Sequence, residues 1–207
     1  MFKNTLEKDI LKEIFNISLS KAADSLSFFV GSKILIKDLQ LSVVDNISAD
    51  DLKHHFAQAE AILETRLKGE YSGLTYLLFS EEDVKNFFKV AHPINPDSTL
   101  EDELSKELLL EADNILTASV VSALADILKN FIYGDVPKFY SPGDKELVDQ
   151  ISEELAGLTT LKIVANYESE GLTVKPVFIW MIDIGFINRL HEFASNEEEV
   201  LKLKELV

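Results

Sequence analysis

Cysteine is absent from all 207 residues. That excludes disulfide staples, thiolate nucleophiles and zinc–thiolate centres, and it fits a reducing compartment. Arginine is nearly absent too, occurring only at Arg66 and Arg189. With 20 basic against 36 acidic residues, a net charge of −16 and a pI near 4.6, the average field repels phosphate backbones, and no arginine-lined nucleic-acid surface is expected. Histidine occurs four times, two of them adjacent at His54 and His55, and no His-x-x-x-His spacing is present, so no metal of its own is expected. Phosphate-cradling glycine loops and a Gly-x-Ser-x-Gly elbow are also missing. The apolar run from Ile115 to Leu128 is interrupted by Thr117, Ser119, Ser122 and Asp126, and the first residues lack a signal-peptide layout. The expectation is a cytoplasmic protein without membrane insertion.

What is present is a chain 46% hydrophobic, enough for a substantial core. Apolar residues Leu6, Ile10, Ile14, Ile17, Ala22, Leu26 and Phe29 recur at helical spacing, predicting a long helix over 5–30 that Gly31 ends. A strand is expected over 33–45, a short helix over 48–56, a strand pair over 58–68 and 71–79, and a helix from the Ser80 cap to about Val90. Pro93 and Pro96 then break the chain. The order recurs: a long helix over 99–131 stopped by Gly134 and Pro137, a helix over 144–155, strands over 158–168 and 172–182, and a helix over 184–194. Tight turns between strands favour antiparallel pairing, so the class is α+β. We expect a single domain of two repeats, about 5–92 and 103–194, related by a pseudo-two-fold axis, with an acidic helical tail over about 195–207.

The long helices share a motif. Glu13 and Asn16 recur as Glu111 and Asn114, an offset of 114 − 16 = 98, and Gly73-Leu-Thr recurs as Gly171-Leu-Thr at the same offset. At about 100° per residue, Asp9, Glu13, Asn16 and Ser20 form one stripe, and Glu107, Glu111 and Asn114 form the same stripe on the second helix, with Ala118 in place of Ser20. A polar stripe on an apolar helix is ordinarily its wet face. Asparagine, however, is a mediocre helix-interior residue, and its recurrence beside a glutamate in mid-helix suggests a use beyond solvation.

This pattern resembles the CheC family of chemotaxis phosphatases, which includes CheX and FliY. The family motif is Asp or Ser, three residues, Glu, two residues, Asn, about twenty-two residues and Pro. Asp9, Glu13 and Asn16 match the first copy, with Leu39 where the proline belongs; Glu111, Asn114 and Pro137 match the second, with Glu107 in the leading position. The resemblance implies hydrolysis of the aspartyl-phosphate of a CheY-like response regulator. In that scheme Glu13 and Glu111 dock the receiver, Asn16 and Asn114 orient the attacking water, and Mg²⁺ comes with the receiver rather than as a cofactor of this chain. It also leaves open a non-catalytic adaptor that binds a receiver or a CheD-like deamidase.

Overall fold

The computed structural model describes residues 5–44, 47–92, 99–101, 103–147 and 158–204. Helix α1 (Thr5–Val30) leads to strand β1 (Leu35–Val44), helix α2 (Ala49–Ala57), strands β2 (Ala61–Gly69) and β3 (Gly73–Phe79) and helix α3 (Glu81–Ala91). Helix α4 (Glu103–Leu128) then precedes short strands β4 (Ile132–Gly134) and β5 (Lys138–Tyr140). Strands β6 (Leu158–Ser169), β7 (Leu172–Val174) and β8 (Val177–Asp183) and helices α5 (Ile184–Ser195) and α6 (Glu197–Lys204) complete it. The fold is α+β, as the element order implied.

Local chemistry accounts for the boundaries. Ser48 and Ser80 each accept from the backbone N–H three residues on, and Asp51 and Asp83 reach back to close both capping boxes. Both long helices are 26 residues and end on a left-handed residue, Gly31 at φ +69° and Lys129 at φ +52°, again 98 apart. The second helix therefore stops at Leu128, earlier than Gly134 and Pro137 suggested. The strand expected over 172–182 is split: Lys175 and Pro176 separate β7 from β8, though both pair β6 in one register, because proline has no N–H for the ladder. The helix expected over 144–155 shows only its first turn at 145–147, the rest lying outside the described residues.

All strand pairs are antiparallel, in the order β1-β6-β8-β3-β2-β4, with β5 also on β2 and β7 also on β6. The order is palindromic about the β8–β3 contact. It is also interlocked: β1 of the first half pairs β6 of the second, while β4 and β5 of the second half pair β2 of the first. Alternation along the strands sends Phe178, Trp180 and Ile182 to one face and Ile179 and Met181 to the other. The first face is covered by α1, α3, α4 and α5, and by Leu203 of α6; the second is covered by Leu52 and Phe56 of α2. The C-terminal helix is docked, since Glu199 accepts from Arg189 at 3.2 Å.

By length and composition α4 also meets the requirement for crossing a bilayer, contrary to the reading of its interrupted apolar run. In this fold Leu109, Leu116, Val120 and Leu124 fill the core.

Candidate functional site

Helices α1 and α4 pack on each other above the sheet. Leu11, Ile14, Phe15 and Leu19 are turned inward on α1, and Leu109, Ala112, Leu116 and Val120 on α4. The stripes opposite them are left outside: Asn16, Glu111 and Asn114 are exposed and Glu13 is half-buried. Among the described residues these four side chains form no hydrogen bond or ion pair within the chain.

Each stripe forms one wall of an open groove. The first groove, about 470 Å³, is lined by Asp9, Lys12, Glu13 and Asn16 from α1 and by Ile36 to Leu39 from β1. The second, about 410 Å³, is lined by Glu107, Leu110, Glu111 and Asn114 from α4 and by Gly134 to Pro137 between β4 and β5. All eight positions correspond at one offset, from 107 − 9 = 98 to 137 − 39 = 98.

The strand walls match in geometry as well. On β1, Ile36 lies opposite Tyr167 and Asp38 opposite Asn166, so Lys37 is an extra, bulged residue. In the second copy Gly134 lies opposite Leu67 and Lys138 opposite Glu64, which again leaves one residue too many on the edge strand. A bulge bends an edge and re-aims its side chains, and here it opens each strand toward its helix stripe. The partner strands correspond at 167 − 67 = 100 rather than 98. The Gly73 and Gly171 match is consequently not an equivalence: Gly73 opens β3 opposite Ile182, while Gly171 sits in the β6–β7 turn at φ +79°.

The bulges carry charge-inverted ion pairs. Lys37 meets Glu168 at 3.5 Å, and at the equivalent place Asp135 meets Lys68. The hydrogen bond from Lys68 holds Asp135 below the usual carboxylate range, helped by the Val136 N–H. The first groove thus mixes two lysines with three acids. The second has three acids, no cation among its described lining, and the apolar Leu110 and Val136, the latter 80% exposed. Leu39, which replaces the motif proline, is buried, yet its segment keeps the bulge.

One polar residue beneath the second groove was not singled out by spacing. Asp113 is fully buried beside Asn114. It accepts from Thr65 Oγ1 at 2.7 Å and Thr117 Oγ1 at 3.2 Å. Burial pushes its carboxyl up from 3.8 to about 6, against the lowering effect of the two hydroxyls. A raised native pKa favours the protonated fold, so this group's contribution is complete below about pH 4 and is lost as pH rises through about 6. Asp113→Asn should gain stability relative to the parent between pH 4 and 7, in urea titrations at each pH. A constant difference across that range would contradict the buried titration.

Among the described residues no group of three histidines or carboxylates is arranged to hold a metal. The stripes offer a carboxylate and an amide side by side: the carboxylate can grip a cation, and the amide can orient a water but is no general base.

No family model matches the chain. It is 29% identical over 139 residues to the CheY-P phosphatase CheC of Bacillus subtilis, an alignment covering 64% of this chain and 65% of that relative, just short of two thirds of its length. The crystal structure of Thermotoga maritima FliY superposes with a TM-score of 0.64 at 21% identity, covering 94% of this chain and 98% of that one. A chain of the CheX–CheY–BeF₃–Mg²⁺ complex of Borrelia burgdorferi superposes with a TM-score of 0.51 at 13% identity, covering 81% of this chain and 96% of that one. The sequence likeness to CheC agrees with the resemblance that the two motifs carry, and the two solved structures share the fold of this chain.

Proposed function

We propose that this CheC relative, a single domain of two repeats spanning about 5–92 and 103–194, hydrolyses the aspartyl-phosphate of a CheY-like response regulator in the cytoplasm. The observation that carries the reading is the recurrence of one groove at eight corresponding positions, each with an exposed Asn and a neighbouring Glu. The name of the Bacillus relative supports the reaction, and the Borrelia complex supports a receiver with its own Mg²⁺ as partner.

The division of labour follows from the side chains. Glu13 and Glu111 are acceptors on solvated ridges and form charge-assisted contacts with a receiver lysine. Asn16 and Asn114 enter the receiver site, where the amide holds a water in line with the phosphorus. The water oxygen bonds to phosphorus as the bond to the aspartyl oxygen breaks; inorganic phosphate leaves and the receiver carboxylate is restored. Such transfer needs positioning and charge neutralisation more than a covalent helper. The metal supplies charge neutralisation from the receiver's side, so this chain brings only the water-orienting amide and the docking carboxylate.

The test is decay of a phosphorylated CheY-like receiver with and without the protein. Decay should accelerate in Mg²⁺, and the acceleration should vanish when divalent ions are chelated. Acceleration that survives complete chelation would overturn the scheme. Binding without acceleration would establish the adaptor instead, and a screen for binding of a CheD-like deamidase would then follow.

A further inference from the structure

The two grooves match on their surfaces but rest on different foundations. Beneath the second, Asp113, Thr117 and Thr65 form a buried polar cluster joining α4 to β2. Gly134 lies against the same threonines: a Cβ there would stand 3.1 Å from Thr65 Cγ2 and 3.5 Å from Thr117 Cγ2. The helix wall and the strand wall of this groove are therefore both seated on one cluster. At the corresponding positions under the first groove stand Phe15, Leu19, Ala165 and Ile36. Phe15 packs edge-on against Trp180, with ring centroids 5.6 Å apart. The first copy shows that apolar packing suffices to hold such a groove. A buried carboxylate is the costlier choice for stability, because ionising it forfeits hydration.

We infer that Asp113 is a positioning residue for the second groove, fixing the rotation of α4 so that Asn114 projects toward the Gly134–Pro137 wall. Adjacent helix residues point about 100° apart, so anchoring one on β2 sets the direction of the next. No charged side chain competes for Asp113 among the described residues: its own helix offers Thr117, β2 offers Thr65, and β4 offers Gly134. Glu64 and Arg66 flank Thr65 on the strand and alternate to the opposite face, where Glu64 accepts from Tyr76. Protonating Asp113 converts one oxygen from acceptor to donor and reorganises the cluster, so the second groove acquires a pH response that the first lacks.

The inference rests on the phosphatase reading for its consequence in turnover, but its structural coupling can be read without turnover. In ¹⁵N-labelled protein the Asn114 side-chain amide should shift with a midpoint near pH 6 and the Asn16 amide should not. Asp113→Asn should abolish that titration. An unmoved Asn114 amide, or a shift that persists in Asp113→Asn, overturns the proposal. The kinetic arm uses receiver-phosphate decay in two backgrounds, Asn16→Ala with only the second groove working and Asn114→Ala with only the first. Asp113→Ala should lower kcat on the order of ten- to a hundredfold in the first background, with KM little changed, and leave the second within about twofold. Asp113→Asn should restore most of that rate at neutral pH and flatten its pH profile. Equal losses in both backgrounds would reduce Asp113 to a general structural role and overturn the proposal. Absence of turnover in the parent protein would instead defeat the phosphatase reading, while the amide titration still decides the coupling.

Discussion

Replacing Asn16 and Asn114 together by alanine should lower the accelerated decay of receiver phosphate by about 10²-fold or more while the receiver still binds. The amide is the group assigned to the water. Its removal leaves Glu13 and Glu111, and so the docking contact, in place. Both asparagines are exposed and bonded to nothing else among the described residues, so truncation should cost the fold little. With two equal, independent grooves each single variant would retain half the rate. Inequality is expected in favour of the second groove, which keeps Pro137 and whose described lining includes no lysine beside Glu111. The comparison requires the parent, both single variants and the double, with binding measured alongside. Full activity in the double variant would sink the mechanism.

Trp180→Ala should cost about 3–5 kcal/mol of folding stability. The indole is fully buried at the centre of the sheet, edge-on to Phe15 at 5.6 Å and to Phe178 at 5.4 Å. Alanine leaves a cavity that α1 and the strands cannot close without moving. Trp180→Phe should be far milder, about 1 kcal/mol, since most ring contacts persist and the buried indole N–H has no acceptor to lose among the described residues. Urea unfolding followed by circular dichroism decides this, as the protein's single tryptophan fluorophore is removed. Because Phe15 directly precedes Asn16, loss of its ring partner should impair the first groove more than the second. Comparable stability of Trp180→Ala and the parent would mean that the sheet centre repacks freely.

The helices, their caps and the two polar stripes were legible because each follows from local spacing. Asn16 and Asn114 stood out as poor helix residues at one offset, and Ser80 announced the start of α3. The groove walls were not legible. β4 and β5 have three residues each, too few for an alternating pattern, and Asp135 to Pro137 between them look like plain loop. The bulges at Lys37 and Asp135 depend on pairing with strands far along the chain, which no local pattern reports. Gly73 and Gly171 misled for the same reason: identical tripeptides occupy different places once the sheet register is set. Asp113 lies inside the second motif but off its polar stripe, and only the approach of Thr65 reveals its burial.

The exchange of edge strands between the halves has a consequence for how the chain comes to be folded. Ser42 on β1 meets Lys162 on β6, 120 residues later. During synthesis α1, β1 and the β2–β3 hairpin emerge first, and β1 has no strand partner until β6 is made. Folding dominated by such distant pairings is slow, in the millisecond-to-second range for domains of high contact order. Until β6 arrives, β1 carries open backbone donors and acceptors of the kind that recruit foreign strands. Neither half expressed alone has a complete sheet, and the nascent first half is the interval at which a chaperone has most to protect.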